Sequence, residues 1–267
     1  MGAFVKKHLS IFSLLVAASF VLATLDTASP GEKAGNARLP SLLKKGYIGE
    51  LTWWEGKNIG EYSRNWSTSH LKATGTGPAK PVPTADQDPD DVEREYYRDL
   101  ENWECMYSAW SAMDGNYKTA WCEGKQDEGI GEILIVKADT RKPVQIWNGL
   151  GASDSLYKAN NRAQKIRVWA LQAGKAQKAI GQYDIGIAYE DITVVGSHEI
   201  TLKDLNGWQP LPLPARRRPA FQSVIENGQP ALKYEGSTFL AIEILSVYKG
   251  TKYNYTCISE INADKGK

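Results

Sequence analysis

The sequence predicts an all-β domain, preceded by a poorly patterned N-terminal region with one short helix. Short segments of apolar and branched residues recur from residue 105 onward, and turn signals such as residues 203–207 separate them. Strand-like segments do not alternate with helix-like ones, so the pattern is typical of a β-sandwich or a β-barrel. The predicted strands are residues 130–136, 144–147, 166–170, 185–189, 192–195, 198–202, 231–234 and 239–245.

The composition is that of an ordinary globular protein. The chain has 267 residues, of which 42% are hydrophobic and 24% are charged, enough for one sizeable domain plus additional sequence. The formal net charge is +1, so the overall electrostatics do not indicate nucleic acid as a partner. Nine Trp and thirteen Tyr favour β structure and stacking surfaces.

Residues 1–23 have the pattern of a secretory signal peptide. Lys6 and Lys7 form a basic start, and residues 11–22 form an apolar stretch that is short for a membrane span. We expect cleavage after Ala23, and an uncleaved anchor is the alternative. The remaining chain has no long apolar run, and no Cys lies near the cleavage point. These features predict a secreted or periplasmic product that has no lipid anchor and no membrane span.

Residues 24–104 are predicted to be an N-terminal region with a linker and a short helix. Residues 75–83 have the Gly- and Pro-rich composition of the linker. Asp88 can cap a helix that begins at Pro89, and apolar residues then recur at helical spacing. These apolar residues are Val92, Tyr96, Leu100 and Trp103. We expect this face of the helix to pack on the domain that follows.

The sequence motifs of several enzyme classes are missing. The chain has no G-x-x-x-x-G-K-[ST], no G-x-G-x-x-G and no H-E-x-x-H. Residues 151–155 lack the last Gly of a hydrolase nucleophile elbow. These absences predict a protein that is not an enzyme. Catalytic carboxylates pair in space rather than in sequence, so an enzyme with an unrecognised site remains an open alternative.

One ordered set of motifs resembles a known family. Residues 111–121 follow the pattern A-x-D-G-N-x-x-T-x-W. Further matching segments are residues 123–125, 129–132, 146–149, 246–253 and 256–261. Together they resemble discoidin-like (galactose-binding-like) domains, in particular the NADase-type glycan-binding (translocation) domain of bacterial secreted proteins. The resemblance implies a jelly-roll β-sandwich over residues 105–262, with residues 263–267 as a tail.

Two positions depart from the family pattern. Tyr255 stands where the family usually has an Asp before Thr-Cys, and Leu150 replaces the aromatic residue that often follows Asn-Gly.

The resemblance implies a calcium-type site on the loop that precedes Trp121. Its residues are Asp114, Asn116, Thr119 and, from the C-terminal part of the chain, Glu260. Oxygen clusters of this kind suit hard cations. The alternative is a tight turn held by Asx and hydroxyl hydrogen bonds, with Glu260 closing it.

A ligand site is predicted at a loop end of the sandwich. Asn148, Tyr157, Asn161 and Arg162 flank the loop and combine planar polar groups with an aromatic ring, as sugar recognition requires. A glycan or glycoconjugate is therefore the expected partner. In the alternative interpretation, the two Asn shape turns and Arg162 bridges to a backbone carbonyl. A structural or adhesion module that binds a surface protein is a second function class.

Cys105, Cys122 and Cys257 form an odd set, so one of them is left outside any disulfide within the chain. Their spacing matches no zinc site. If the Asp114–Trp121 loop and the strand carrying Glu260 meet, as the resemblance implies, Cys122 and Cys257 come together and form a disulfide. A bond between Cys105 and Cys122 is the competing arrangement.

Overall fold

The computed structural model describes residues 32–54, 60–180, 185–215, 225–226, 229–230 and 238–263. The predicted signal peptide, residues 1–23, lies outside these residues. The predicted strand 231–234 and all but the first residue of the predicted tail, 263–267, also lie outside them.

The described chain is mostly β, and the predicted fold class is confirmed. The strands are β1 (Glu32–Ala34), β2 (Tyr47–Trp54), β3 (Ser69–Leu71), β4 (Trp121–Cys122), β5 (Ile133–Lys137), β6 (Val144–Asn148), β7 (Asn161–Gln172), β8 (Lys175–Ile180), β9 (Ile185–Thr201), β10 (Trp208–Pro210), β11 (Ile225–Glu226), β12 (Gln229–Pro230), β13 (Thr238–Tyr248) and β14 (Thr256–Ala263). The helices are α1 (Leu39–Lys45), α2 (Gly60–Arg64), α3 (Pro89–Glu104) and α4 (Asp154–Ala159), with a 3-10 helix at Ala109–Ala112.

The main sheet consists of two blocks that meet at one corner. In the first block, β5, β13, β7 and β9 lie side by side, and β2 and β8 flank the first part of β9. The second block contains β10, β6, β14 and β4. The blocks meet where Thr256 and Cys257 pair in parallel with Asn161 and Arg162. Apolar side chains from both blocks share one core, as in a β-sandwich.

Strand β9 is one continuous strand where the sequence predicts three short ones. The first predicted break coincides with Asp191, a non-glycine residue with a φ of 52°. The second coincides with Gly196, where the pairing of β9 with β7 shifts register between Ala170 and Leu171. Pairing with its neighbours carries the strand through both irregularities.

Part of the poorly patterned N-terminal region is built into the sheet. In β2, Leu51 pairs with Tyr189 of β9, and both side chains are buried. Leu39 and Leu43 of α1 and the fully buried Trp66 add to the same core. This region therefore contributes several buried side chains to the core, although its sequence pattern is weak.

Helix α3 begins as the sequence predicts but stays at the periphery. Asp88 caps it by accepting a hydrogen bond from the Asp90 N–H, and Pro89 is the first helical residue. None of its residues is fully buried. Its contacts include the preceding linker, where Lys80 forms an ion pair with Glu93 at 2.9 Å.

The disulfide joins Cys122 and Cys257, as the family resemblance implies. The two residues are directly paired across β4 and β14. Cys105 is buried and lies outside the disulfide. The competing bond between Cys105 and Cys122 is thereby excluded.

Candidate functional site

Three connections meet at one end of the sheet, and the residues that the sequence singles out lie in them or in the strands next to them. They are the β6–β7 connection (149–160), the β13–β14 connection (249–255) and the loop before β4 (113–120). The Thr251 N–H donates to the carbonyl oxygen of Lys158 at 2.9 Å, which ties the first two together. The third approaches at Gly151, where an added Cβ would lie 2.8 Å from the carbonyl oxygen of Tyr117.

Asn148 and Asn161 are buried, and both side chains bond to backbone. The amide of Asn148 donates to the carbonyl oxygen of Ala163 at 2.7 Å and accepts from the Ala163 N–H at 3.1 Å. The amide of Asn161 donates to the carbonyl oxygen of Asn254 at 2.6 Å and accepts from the Gly250 N–H at 2.7 Å. Asn148 thus joins the end of β6 to the start of β7, and Asn161 joins the start of β7 to the β13–β14 connection.

Arg162 and Tyr157 converge on Asp204. The Arg162 guanidinium donates from two nitrogens to the two Asp204 oxygens at 3.0 and 2.6 Å, and also to the carbonyl oxygen of Lys249. The Tyr157 hydroxyl donates to Asp204 at 2.7 Å. The Arg162 hydrogen bonds lower the pKa of Asp204, while burial and the Asp204 carboxylate raise the pKa of Tyr157. Through these bonds the start of β7 holds the β9–β10 connection at Asp204 and the β13–β14 connection at Lys249.

The four predicted ligand residues therefore lie in the framework beneath the loops. Asn148, Tyr157, Asn161 and Arg162 are each less than a tenth exposed. Their contact with a ligand stays a prediction. Two of their sequence neighbours, Leu156 and Asn160, instead border open space.

A groove of about 390 Å³ opens beside this framework. Its apolar lining comes from Leu71, Ala73, Leu150, Leu156, Tyr107, Tyr253 and Tyr255, and its polar lining from Lys72, Thr74 and Asn160. The Tyr107 hydroxyl lies 2.9 Å from the Thr74 hydroxyl, and the Tyr253 ring is 40% exposed. The size and the mixture of rings with a few polar groups are those of a small-ligand site.

The groove rests on the disulfide. Cys122 and Cys257 form a small buried cluster with Leu71 and Ala120, and Tyr107, Leu150 and Tyr255 pack against it. Two of these groove residues, Leu150 and Tyr255, are the positions at which the sequence departs from the family pattern. Both departures noted in the sequence therefore lie in the groove lining.

The predicted calcium residues form a compact cluster around two carboxylates. The Asp114 carboxylate accepts from the Thr119 hydroxyl at 2.7 Å, and the Glu260 carboxylate accepts from the Gly115 N–H at 3.0 Å. Burial, together with the nearby charge of Asp114, raises the pKa of Glu260 to about 8. Burial also raises the pKa of Asp114. At neutral pH this pair favours a bound proton or a bound cation.

The donor atoms of this cluster fit a hard cation. The Thr119 hydroxyl lies 2.7 Å from an Asp114 oxygen and 2.6 Å from the carbonyl oxygen of Asn116, so three oxygens already converge. The Asn116 side chain instead accepts from the Lys118 N–H at 3.1 Å. No group of three or more His, Cys, Asp or Glu suited to a metal occurs among the described residues. Hydroxyl and carbonyl oxygens would complete the shell, and calcium accepts both.

Glu123 is a buried carboxylate whose role the sequence did not reveal. It is fully buried and accepts hydrogen bonds from the Thr256 N–H and the Lys125 N–H, each at 2.8 Å. Burial raises its pKa to about 8. Glu123 follows Cys122 directly, and Thr256 directly precedes Cys257. The hydrogen bond between them therefore joins the two strands next to the disulfide.

Sequence reasoning also missed a row of aromatic side chains beside the carboxylate cluster. The rings of Tyr117 and Trp147 are stacked with centroids 4.3 Å apart, and Trp208 meets Trp147 edge-on at 5.6 Å. We call these three side chains the aromatic row. The high Trp and Tyr content was the only signal, since the residues come from distant parts of the sequence.

The described residues contain no helix that is long and apolar enough to cross a membrane. Comparison with curated proteins and with solved structures finds no similar protein.

A family model matches most of the chain. The model of the NAD glycohydrolase translocation F5/8 type C domain matches residues 92–264. This is a discoidin-like domain with a binding or translocation role rather than a catalytic one. The match begins within α3, so most of that helix belongs to the matched region. The chain is therefore a member of the NAD glycohydrolase translocation F5/8 type C family.

Proposed function

We propose that the protein is a non-catalytic module that binds a glycan or glycoconjugate in the groove. The observation that carries the proposal is the lining itself, which combines three tyrosine rings with Lys72, Thr74 and Asn160. Tyrosine faces can stack on the apolar C–H face of a sugar, and the polar groups can bond its hydroxyls. The disulfide further supports action outside the cytoplasm, where such bonds persist.

The groove is held in place before a ligand arrives. The disulfide supports it from below, and the Arg162–Asp204 pair fastens the neighbouring loops. A preformed site loses little conformational entropy when it binds. In this proposal, the residues predicted from the sequence support the site, and the residues next to them contact the sugar.

We further propose calcium as a structural ion at Asp114, Asn116, Thr119 and Glu260. Burial and, next to it, the charge of Asp114 raise the pKa of Glu260, and a bound cation would offset both effects. The ion would fix the loop that leads into β4. In that role it stabilises the domain and takes no part in chemistry.

A glycan array on the purified chain tests the proposal, followed by calorimetric titration with the glycans that bind. Tyr253→Ala is expected to weaken binding by about tenfold, since it removes the most exposed ring of the groove. Tyr97→Ala is the matched control, because Tyr97 is an exposed tyrosine on α3 outside the groove. An array without any bound glycan, or equal affinities for the wild type and Tyr253→Ala, would overturn the proposal.

A further inference from the structure

The aromatic row lies outside the groove and is partly open to solvent. Tyr117 is 39% exposed and Trp208 is 38% exposed. Neither residue, nor Trp147 between them, belongs to the groove lining. Contiguous exposed apolar patches on a protein surface often mark interaction sites.

Polar groups surround the aromatic row on one side. The Trp147 indole N–H donates to the Asn206 amide oxygen at 3.0 Å, and the Asn206 amide donates to Asp154 at 2.7 Å. Asp154 begins α4 and is exposed, and Ser153 and Ser155 lie on either side of it. Exposed rings therefore lie close to a carboxylate and hydroxyl groups.

From this arrangement we infer a second carbohydrate-binding surface, formed by Tyr117, Trp147 and Trp208 with Asp154 at its edge. Ring faces suit the apolar face of a sugar, and a carboxylate accepts hydrogen bonds from adjacent hydroxyls. The three rings follow one another with centroids 4.3 and 5.6 Å apart, so the row offers more than one ring to a glycan chain. The inference does not depend on the groove, since the two surfaces share no side chain.

The charges near the row favour neutral glycans. Asp154 lies at its edge, and the exposed Lys118 follows Tyr117 directly. These two opposite charges give sulfated or uronic-acid chains no net attraction, and the Asp154 carboxylate repels an anionic group placed beside it.

The test titrates the protein with linear hexasaccharides of β-1,4-linked glucose, N-acetylglucosamine or galactose, and follows tryptophan fluorescence. At least one neutral hexasaccharide is expected to shift the emission, and a hyaluronan hexasaccharide is expected to leave it unchanged. Trp208→Ala should weaken that binding by about tenfold, while Trp208→Phe should retain most of it. Tyr117→Ala provides a second variant if Trp208→Ala does not fold.

The groove variant Tyr253→Ala separates this inference from the proposed function. It should bind the neutral hexasaccharide as the wild type does. Binding that is lost in Tyr253→Ala but kept in Trp208→Ala and Tyr117→Ala would overturn the second surface and leave the groove standing. A row that binds no hexasaccharide, or that binds only a protein, would overturn it as well.

Discussion

Cys122 and Cys257 lie directly opposite each other in β4 and β14, and the groove is built on the disulfide between them. The bond connects residues 135 positions apart in the sequence. It therefore constrains most of the domain and, at the same time, the floor of one candidate site.

The double variant Cys122→Ala/Cys257→Ala is expected to be less stable and to bind groove ligands more weakly. A disulfide closing so long a loop contributes about 5 kcal/mol in the chain-entropy model. Urea unfolding followed by circular dichroism measures the loss. The double variant avoids leaving a reactive single thiol. Unchanged stability together with unchanged groove binding would show that neither the fold nor the groove depends on the bond.

Asp204→Asn is expected to destabilise the loop end. The Arg162 side chain is only 9% exposed, so removing its charged partner leaves a nearly buried cation. We expect a loss of about 2 kcal/mol, typical of hydrogen bonds to charged groups. Thermal unfolding measures it, and Asp139→Asn is the control, because Arg141, its partner, is 52% exposed. Equal effects of the two substitutions would contradict the central role of Asp204.

The lowered pKa of Asp204 gives a further expectation for acid unfolding. The carboxylate contributes stability above its ordinary pKa of 3.8, and that contribution disappears as the pH falls through the lower pKa of the folded state. The wild type should therefore lose stability on acidification more steeply than Asp204→Asn. Unfolding temperatures between about pH 5 and pH 2 give the comparison. Parallel curves would contradict it.

Local signals made some features predictable from the sequence. The start of α3 depends on Asp88 and Pro89 alone, and the prediction is confirmed. The breaks predicted in β9 are wrong. Residues such as Asp191 resemble turn residues, but pairing with strands that are distant in the sequence keeps β9 continuous. The family motifs implied the disulfide because they order Cys122 and Cys257 relative to a shared site.

The candidate sites were only partly predictable. Asn161 and Arg162 have the residue types of a sugar site, but the sequence does not show whether a side chain points into the framework or into a groove. The aromatic row combines Tyr117, Trp147 and Trp208, which lie far apart in the sequence. Such a surface exists only once the strands have paired, so no local pattern indicates it.

Glu260→Gln is expected to change how stability responds to pH and to calcium. Since the folded chain raises the pKa of Glu260 from 4.5 to about 8, its contribution to stability is fully present below pH 4.5 and is lost as the pH rises to about 8. In chelator-treated protein, Glu260→Gln should weaken this decline. Calcium should raise the wild-type unfolding temperature at pH 8 by mass action, but not that of Glu260→Gln.

Glu123→Gln is the matched control for the calcium experiment. Burial likewise raises the pKa of its carboxyl to about 8, but Glu123 lies beside the disulfide rather than in the carboxylate cluster. Glu123→Gln should also weaken the pH dependence, yet keep the calcium response. A wild type whose unfolding temperature does not respond to calcium would leave the tight turn, closed by a protonated Glu260, as the interpretation of this cluster.

Gly149→Ala is expected to disrupt the loop end through a clash, beyond the cost of its backbone conformation. Gly149 has a φ of 76°, and a Cβ there would lie 2.5 Å from Arg162 and 2.7 Å from the Tyr157 ring. The control is Gly131→Ala, since Gly131 has a φ of 88° but open space around its Cβ position. The left-handed conformation should cost either variant about 1 kcal/mol. The clash should cost Gly149→Ala about 2 kcal/mol more, because Arg162 is held by Asp204 and cannot move aside freely. Urea unfolding of both variants measures the difference. Equal losses would mean that the Arg162–Tyr157 framework yields easily, and that the loops above it are less firmly held than the hydrogen bonds indicate.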